Sequence, residues 1–177
     1  MPSADETVTG SNAAEIHRLL LERGLTVAVA ESLTGGLLSA ALTEVPGASE
    51  TFRGGLVVYA TDLKAALADV PRPLLDAQGP VSADVAAALA RGARQRLGAE
   101  LGLGITGVAG PDPVGDHPAG TVFVAVSGNG VGEVSQVDLT GSRAQIREAA
   151  VQAGLRLLSA VLLGGTGIPE PSSGVTP

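Results

Sequence analysis

Apolar residues recur along this chain in two rhythms. Between Asn12 and Arg23 the residues Ile16, Leu19, Leu20 and Leu21 fall at helical spacing, which predicts a helix with one face on a core. Asn12 with Glu15 three residues on has the form of a capping box, and Gly24 is a natural stop. Val27-Ala28-Val29-Ala30 is instead a short unbroken apolar run, as expected of a strand covered on both faces. The two rhythms keep alternating. Strands are predicted over 55–60, 101–106, 121–126 and 133–139, and helices over 37–44, 62–69, 82–97 and 142–162. Gly128-Asn129-Gly130 joins the last two strands and predicts an antiparallel hairpin. Strands alternating with helices imply a three-layer α/β/α domain.

The ends read differently. Residues 1–10 are polar and acidic and are expected to form a disordered arm. Residues 164–177 are rich in Gly, Pro and Ser and bury too little apolar surface to order, so a tail is expected there. One folded domain remains, about 11–163, without an internal repeat.

Composition narrows the chemistry. Hydrophobic residues make up 45% of the 177, yet aromatics only 2%, so Ala, Val and Leu must build the core. With no Cys, a disulfide, a thiolate metal ligand and a Cys nucleophile are excluded. A net charge of -7 without a basic stripe argues against a nucleic-acid partner. No apolar run reaches the length of a membrane span, and the N-terminus lacks a signal peptide's pattern; a cytoplasmic protein is expected. Lys64 is the sole Lys, Tyr59 the sole Tyr, and His17 and His117 the two His. Neither His has a ligand partner at i+4 or a carboxylate neighbour for a triad, so neither a metal site nor a Ser-His-Asp mechanism is expected.

Four stretches carry candidate chemistry. In Glu31-Ser32-Leu33-Thr34-Gly35-Gly36 a strand turns sharply into a helix. Such a turn presents free N–H groups suited to a phosphate or an oxyanion; it is equally a Ser/Thr helix cap with packing glycines. It lacks the Gly-Lys-Ser/Thr ending of a Walker A motif. In the second, Tyr59 ends a strand and Lys64 follows on the next helix, where both can face the cleft of Ser32; a core tyrosine and a solvated lysine fit the same pattern. In the third, Thr106 ends a strand ahead of Gly107-Val108-Ala109-Gly110-Pro111, a long loop that either closes over a ligand or merely connects. In the fourth, Arg143 and Arg147 share a helix face, to bind an anion or form surface ion pairs.

Taken together, Val29 to Gly36, Gly54 to Ala60, Gly79-Pro80-Val81-Ser82, Gly104 to Pro111 and Gly141-Ser142-Arg143 resemble the CinA C-terminal domain family, which includes nicotinamide-nucleotide amidohydrolases. The resemblance covers about 12–163. It implies a mixed, mostly parallel five-stranded sheet between helices, a domain standing without the larger N-terminal domain of some relatives, and oligomers. It implies hydrolysis of the carboxamide of nicotinamide mononucleotide to nicotinic acid mononucleotide and ammonia, with no cofactor. Ser32 aligns with the family's proposed nucleophile, Lys64 with a lysine after the tyrosine strand, and Tyr59 and Thr106 with polar positions of the same site. Three stretches depart from the usual pattern: Asp112 to Pro118 after Ala-Gly-Pro, Ser142 in place of an acid, and Thr61-Asp62 after the tyrosine.

The expected mechanism has Ser32 attack the amide carbonyl with Lys64, its pKa lowered by desolvation, as base. Tyr59 or Thr106 would relay the proton or orient Lys64. Glu31, Thr34, Gly35, Gly36, Gly107, Ala109 and Gly110 would form the substrate-binding wall, with backbone N–H groups near Thr34–Gly36 or Gly107 holding the oxyanion and the helix N-terminus, with Arg143, the 5′-phosphate. A rival assignment makes Lys64 a fixed cation on the phosphate and Tyr59 the base. Two other classes remain: a nucleotide-binding module without turnover, and a structural or assembly domain.

Overall fold

The computed structural model describes residues 4–164, with side chains from Asn12 onward. Helix α1 (Ala4–Arg23) leads into strand β1 (Val27–Glu31), helix α2 (Leu37–Thr43), a 3₁₀ turn (Ala48–Glu50) and strand β2 (Phe52–Val57). Helices α3 (Thr61–Ala68), α4 (Arg72–Gln78) and α5 (Ala83–Leu97) follow, then strands β3 (Leu101–Gly107), β4 (Thr121–Gly128) and β5 (Val131–Asp138) and helix α6 (Arg143–Gly164). The tail expected over 164–177 falls, beyond Gly164, outside the described residues, as do the first three residues of the expected arm.

The sheet runs β2-β1-β3-β4-β5. β1 pairs parallel with β2 and β3; β3–β4 and β4–β5 are antiparallel, the latter closed by the Gly-Asn-Gly hairpin. This is the three-layer α/β/α arrangement with a mixed five-stranded sheet. Period-two alternation sorts the two faces. Val27 and Val29, Leu101, Leu103 and Ile105, and Val122, Val124 and Val126 pack toward α1, α2 and α6. Ala28 and Ala30 face α3, α4 and α5, and Phe123 and Ala125 also meet α5. On this second face β3 offers Gly102 and Gly104. A Cβ there would stand 1.9 Å from the Ala90 carbonyl oxygen and 2.3 Å from that of Ala86. Small residues thus bring α5 almost onto the sheet, as a core nearly free of aromatics requires.

Several boundaries differ from the sequence reading, each for a local reason. α1 begins at Ala4, so Asn12 lies within it, and its side-chain amide donates to Gln152 of α6 (3.5 Å) instead of capping. β2 ends at Val57, where its partner β1 ends at Glu31; Tyr59 therefore lies past the strand. α4 was masked by two prolines, but Pro73 sits in its first turn, where no N–H partner is lost. No helix among the described residues is long and apolar enough to cross a membrane.

β1 reaches β2 through α2 on one face, and β2 reaches β3 through α3–α5 on the other. The carboxyl end of β1 therefore lies between strands whose connections leave in opposite directions, the usual place for a ligand crevice in an open α/β sheet.

Candidate active site

At that end the chain leaves β1 through Ser32, whose N–H donates to the Ile105 carbonyl of β3 at 3.1 Å. Across β1, the Val58 N–H donates to the Glu31 carbonyl at 2.8 Å. The three parallel strand ends are thus tied level, and their loops surround a cleft of about 180 Å³. Of the residues singled out in the sequence, Ser32, Lys64, Tyr59, Thr106, Gly107, Ala109, Gly110 and Arg143 line it. Leu33, Thr61, Pro80, Val81, Asp112 and Val114 join them.

Lys64 is the buried cation of the cleft. Set on the first turns of α3, its side chain turns inward and is 1% exposed. Nζ stands 3.0 Å from Ser32 Oγ, 2.8 Å from the Val58 carbonyl and 3.3 Å from the Tyr59 carbonyl. None of these partners is a carboxylate. Burial without a counter-charge disfavours the ammonium and pushes the Lys64 pKa down from 10.5 to about 8. Ser32, itself buried, meets a base that is partly neutral near physiological pH.

Tyr59 and Thr106 take other places than a proton relay. The Tyr59 side chain is 57% exposed at the rim, and its hydroxyl accepts from Arg143 Nη2 at 2.8 Å; only its backbone carbonyl meets Lys64. The Thr106 hydroxyl is fully buried and donates to the Pro80 carbonyl at 2.7 Å, tying β3 to the segment before α5. Ser82 in that segment caps α5, accepting from the Val85 N–H at 3.2 Å. Arg143 spans the mouth, its Nη1 donating to the Gly110 carbonyl at 2.7 Å.

The helix N-terminus expected to hold a phosphate is already filled. Glu31 is fully buried, and its carboxylate accepts from the N–H groups of Gly36, Leu38 and Ser39 and from the hydroxyls of Thr34 and Ser39. The Gly35 N–H donates to the Ser32 carbonyl. Glu31, Thr34, Gly35 and Gly36 accordingly stand behind the cleft wall and do not line it. Arg147, the second arginine of the pair on α6, also works inward: Nε donates to the Leu33 carbonyl (2.9 Å) and Nη2 to that of Thr34 (3.0 Å). The loop 112–118 forms a tight hairpin. Val114 and His117 exchange N–H···O bonds of 3.0 and 3.1 Å, and the His117 ring packs edge-on to Phe123, centroids 5.6 Å apart. Among the described residues, no three His, Cys, Asp or Glu side chains gather as a metal site would need.

Sequence reasoning missed Ser39 and Gly55, which complete the Glu31 cluster. A Cβ on Gly55 would stand 2.2 Å from Ser39 Oγ. The signal was present in Gly54-Gly55 inside a strand, since glycine there marks a close approach.

A family model described as the CinA C-terminal domain matches residues 10–162. A CinA-like protein of Frankia casuarinae is 51% identical over 161 residues, covering 91% of this chain and 36% of the relative. One of Desulfotalea psychrophila is 42% identical, covering 84% of this chain and 36% of the relative. The chain thus spans about a third of the length of these curated relatives. Among solved structures, a competence-damaged protein (CinA) superfamily protein of Escherichia coli superposes with a TM-score of 0.85 at 28% identity, covering 91% of this chain and 94% of that one. The competence/damage inducible protein CihA of Agrobacterium tumefaciens gives 0.84 at 33% identity, covering 91% and 98%.

Proposed function

The chain belongs to the CinA C-terminal domain family, and from that premise we propose that it hydrolyses the carboxamide of nicotinamide mononucleotide to nicotinic acid mononucleotide and ammonia. The observation that carries this reading is the 3.0 Å contact between the buried Lys64 Nζ and Ser32 Oγ, made without any carboxylate. As a neutral amine Lys64 has two N–H bonds and one lone pair. The Val58 and Tyr59 carbonyls engage the two N–H bonds, which leaves the lone pair for the Ser32 hydroxyl.

Ser32 Oγ attacks the amide carbon while its proton passes to Lys64 Nζ. The C–N bond then breaks, and the Lys64 ammonium returns that proton to the departing nitrogen, which leaves as ammonia. Water, deprotonated by the same amine, hydrolyses the acyl-serine and restores the hydroxyl. The Leu33 N–H, on the cleft wall directly after Ser32, is the candidate oxyanion donor; the Gly35 and Gly36 N–H groups are engaged elsewhere. Arg143, exposed at the mouth, takes the 5′-phosphate, and the half-exposed Tyr59 ring beside it offers an aromatic face to the cationic pyridinium.

Ammonia release from nicotinamide mononucleotide tests this. Wild type is expected to turn over and Ser32→Ala to release none. A wild type that binds the nucleotide, seen as a raised Tm, yet releases no ammonia would make this a binding module and defeat the enzyme reading.

A further inference from the structure

We propose that the Glu31 carboxylate, with Ser39 and Gly55, is a buried clamp that sets Ser32 against Lys64, so that Glu31 is a positioning residue for the chemistry and not a ligand for substrate. The inference rests on the serine–lysine reading above.

Every contact of the Glu31 carboxylate is with a donor. Oε2 accepts from the Thr34 hydroxyl at 2.7 Å, the Gly36 N–H at 3.1 Å and the Leu38 N–H at 3.0 Å. Oε1 accepts from the Ser39 N–H at 2.8 Å and the Ser39 hydroxyl at 2.6 Å. One acceptor-only group therefore gathers residues 34–39 onto the last residue of β1, and Ser32 is the first residue of the arc so closed. Two further ties hold the same arc: the Ser32 N–H on the Ile105 carbonyl, and Arg147 on the Leu33 and Thr34 carbonyls. The arc is fixed from β1, β3 and α6, and the Ser32 side chain it carries meets Lys64 at 3.0 Å.

A second strand is shaped to admit this cluster. Gly55 of β2 lies against Ser39, and a Cβ there would stand 2.2 Å from Ser39 Oγ and 2.9 Å from a Val29 methyl. Gly55 has a φ that any residue can adopt, so the requirement is for space and not for backbone conformation. Substrate touches none of the three residues, since none lines the cleft.

Two readouts separate positioning from mere stability, each taken well below the variant's own Tm. The first is a split of kinetic constants on nicotinamide mononucleotide. Glu31→Gln puts an amide N–H₂ among five donors and is expected to lower kcat about a hundredfold with KM within about twofold. Gly55→Ala, on another strand and remote from the cleft, is expected to do the same more weakly, and Ser39→Ala more weakly still. The Glu31→Gln/Gly55→Ala double variant is expected to be no slower than Glu31→Gln alone, because both break one cluster. The second readout is independent of substrate: the rate at which an alkyl fluorophosphonate labels Ser32, forming an Oγ–P bond with loss of fluoride. It is expected to fall in Glu31→Gln and Gly55→Ala in proportion to kcat. Folded Glu31→Gln protein labelled at the wild-type rate, additive losses in the double variant, or a rise in KM without a fall in kcat each overturn the clamp. A wild type that is not labelled overturns the serine mechanism itself, and the clamp with it.

Discussion

Lys64 weakens the fold, because its ammonium is buried without a counter-charge. Its pKa is about 8 in the folded protein against 10.5 for the free side chain. The folded state therefore gives up this proton first. Between about pH 8 and 10.5 the unfolded chain carries more protons, so stability climbs with pH across that window; below it, burying the ammonium opposes folding at full strength. The whole shift corresponds to about 3 kcal/mol. Lys64→Met is expected to abolish ammonia release, keep nucleotide binding and raise the Tm at pH 7, with the Tm gap to wild type closing as pH rises to 10.5. Lost binding would instead make Lys64 the phosphate's cation. If Lys64 is the proposed base, log kcat/KM of wild type is expected to rise with slope one up to about pH 8 and then level, since the base must be neutral. Under the proposed reading, Arg143 holds the phosphate end of the substrate. Arg143→Ala is expected to raise KM at least tenfold while kcat changes less than threefold, measured by steady-state ammonia release.

At the scale of elements, the helix that carries Lys64 is seated by a glycine. A Cβ on Gly92 of α5 would stand 1.8 Å from the Ala68 carbonyl at the end of α3. Gly92→Ala must push α3 outward, and backbone cannot yield as a flexible side chain would. The expected cost is about 1–3 kcal/mol, read from the urea midpoint, together with a fall in kcat as Lys64 draws away from Ser32. The far end of α3 is held by Asp69, a non-glycine residue at φ 53 whose carboxylate grips Arg96 of α5 through two hydrogen bonds of 2.5 Å. Much of this scale was legible in the sequence. Apolar runs located β1, β3 and β4 closely, because a strand buried on both faces has no polar position to confuse the pattern; β2 and β5, at the sheet edges and partly exposed, were found with shifted bounds. The strand-end motifs located Ser32, Thr106 and, near its end, Tyr59. What stayed hidden was direction. Periodicity places Glu31 at the end of β1 but cannot say that its carboxylate turns back to fill the start of α2. It cannot say either that Arg147 points inward while Arg143 spans the mouth. The first outcome turns on the local path of the chain, since the Glu31 carboxylate meets Thr34, Gly36, Leu38 and Ser39, and the second on distant partners, such as Leu33 with Arg147.

The whole molecule is a solution to building a core without large rings. Glycine and alanine let α5 press against β3 by backbone approach, while branched aliphatic side chains interlock between the sheet and α1, α2 and α6. With 25 Gly and a charge of -7, the chain has unusual means for an ordinary α/β architecture. The same scarcity has an optical consequence. The chain contains no Trp and one Tyr, and that Tyr stands at the mouth of the cleft with its hydroxyl on Arg143. Nearly all ultraviolet emission excited at the tyrosine band must therefore come from the one place where a nucleotide is expected to arrive. A pyridinium ring settling beside Tyr59 is expected to quench that emission in a saturable titration, and Tyr59→Phe is expected to leave the protein dark. The cleft carries its own lamp, and binding can be followed in the unlabelled protein.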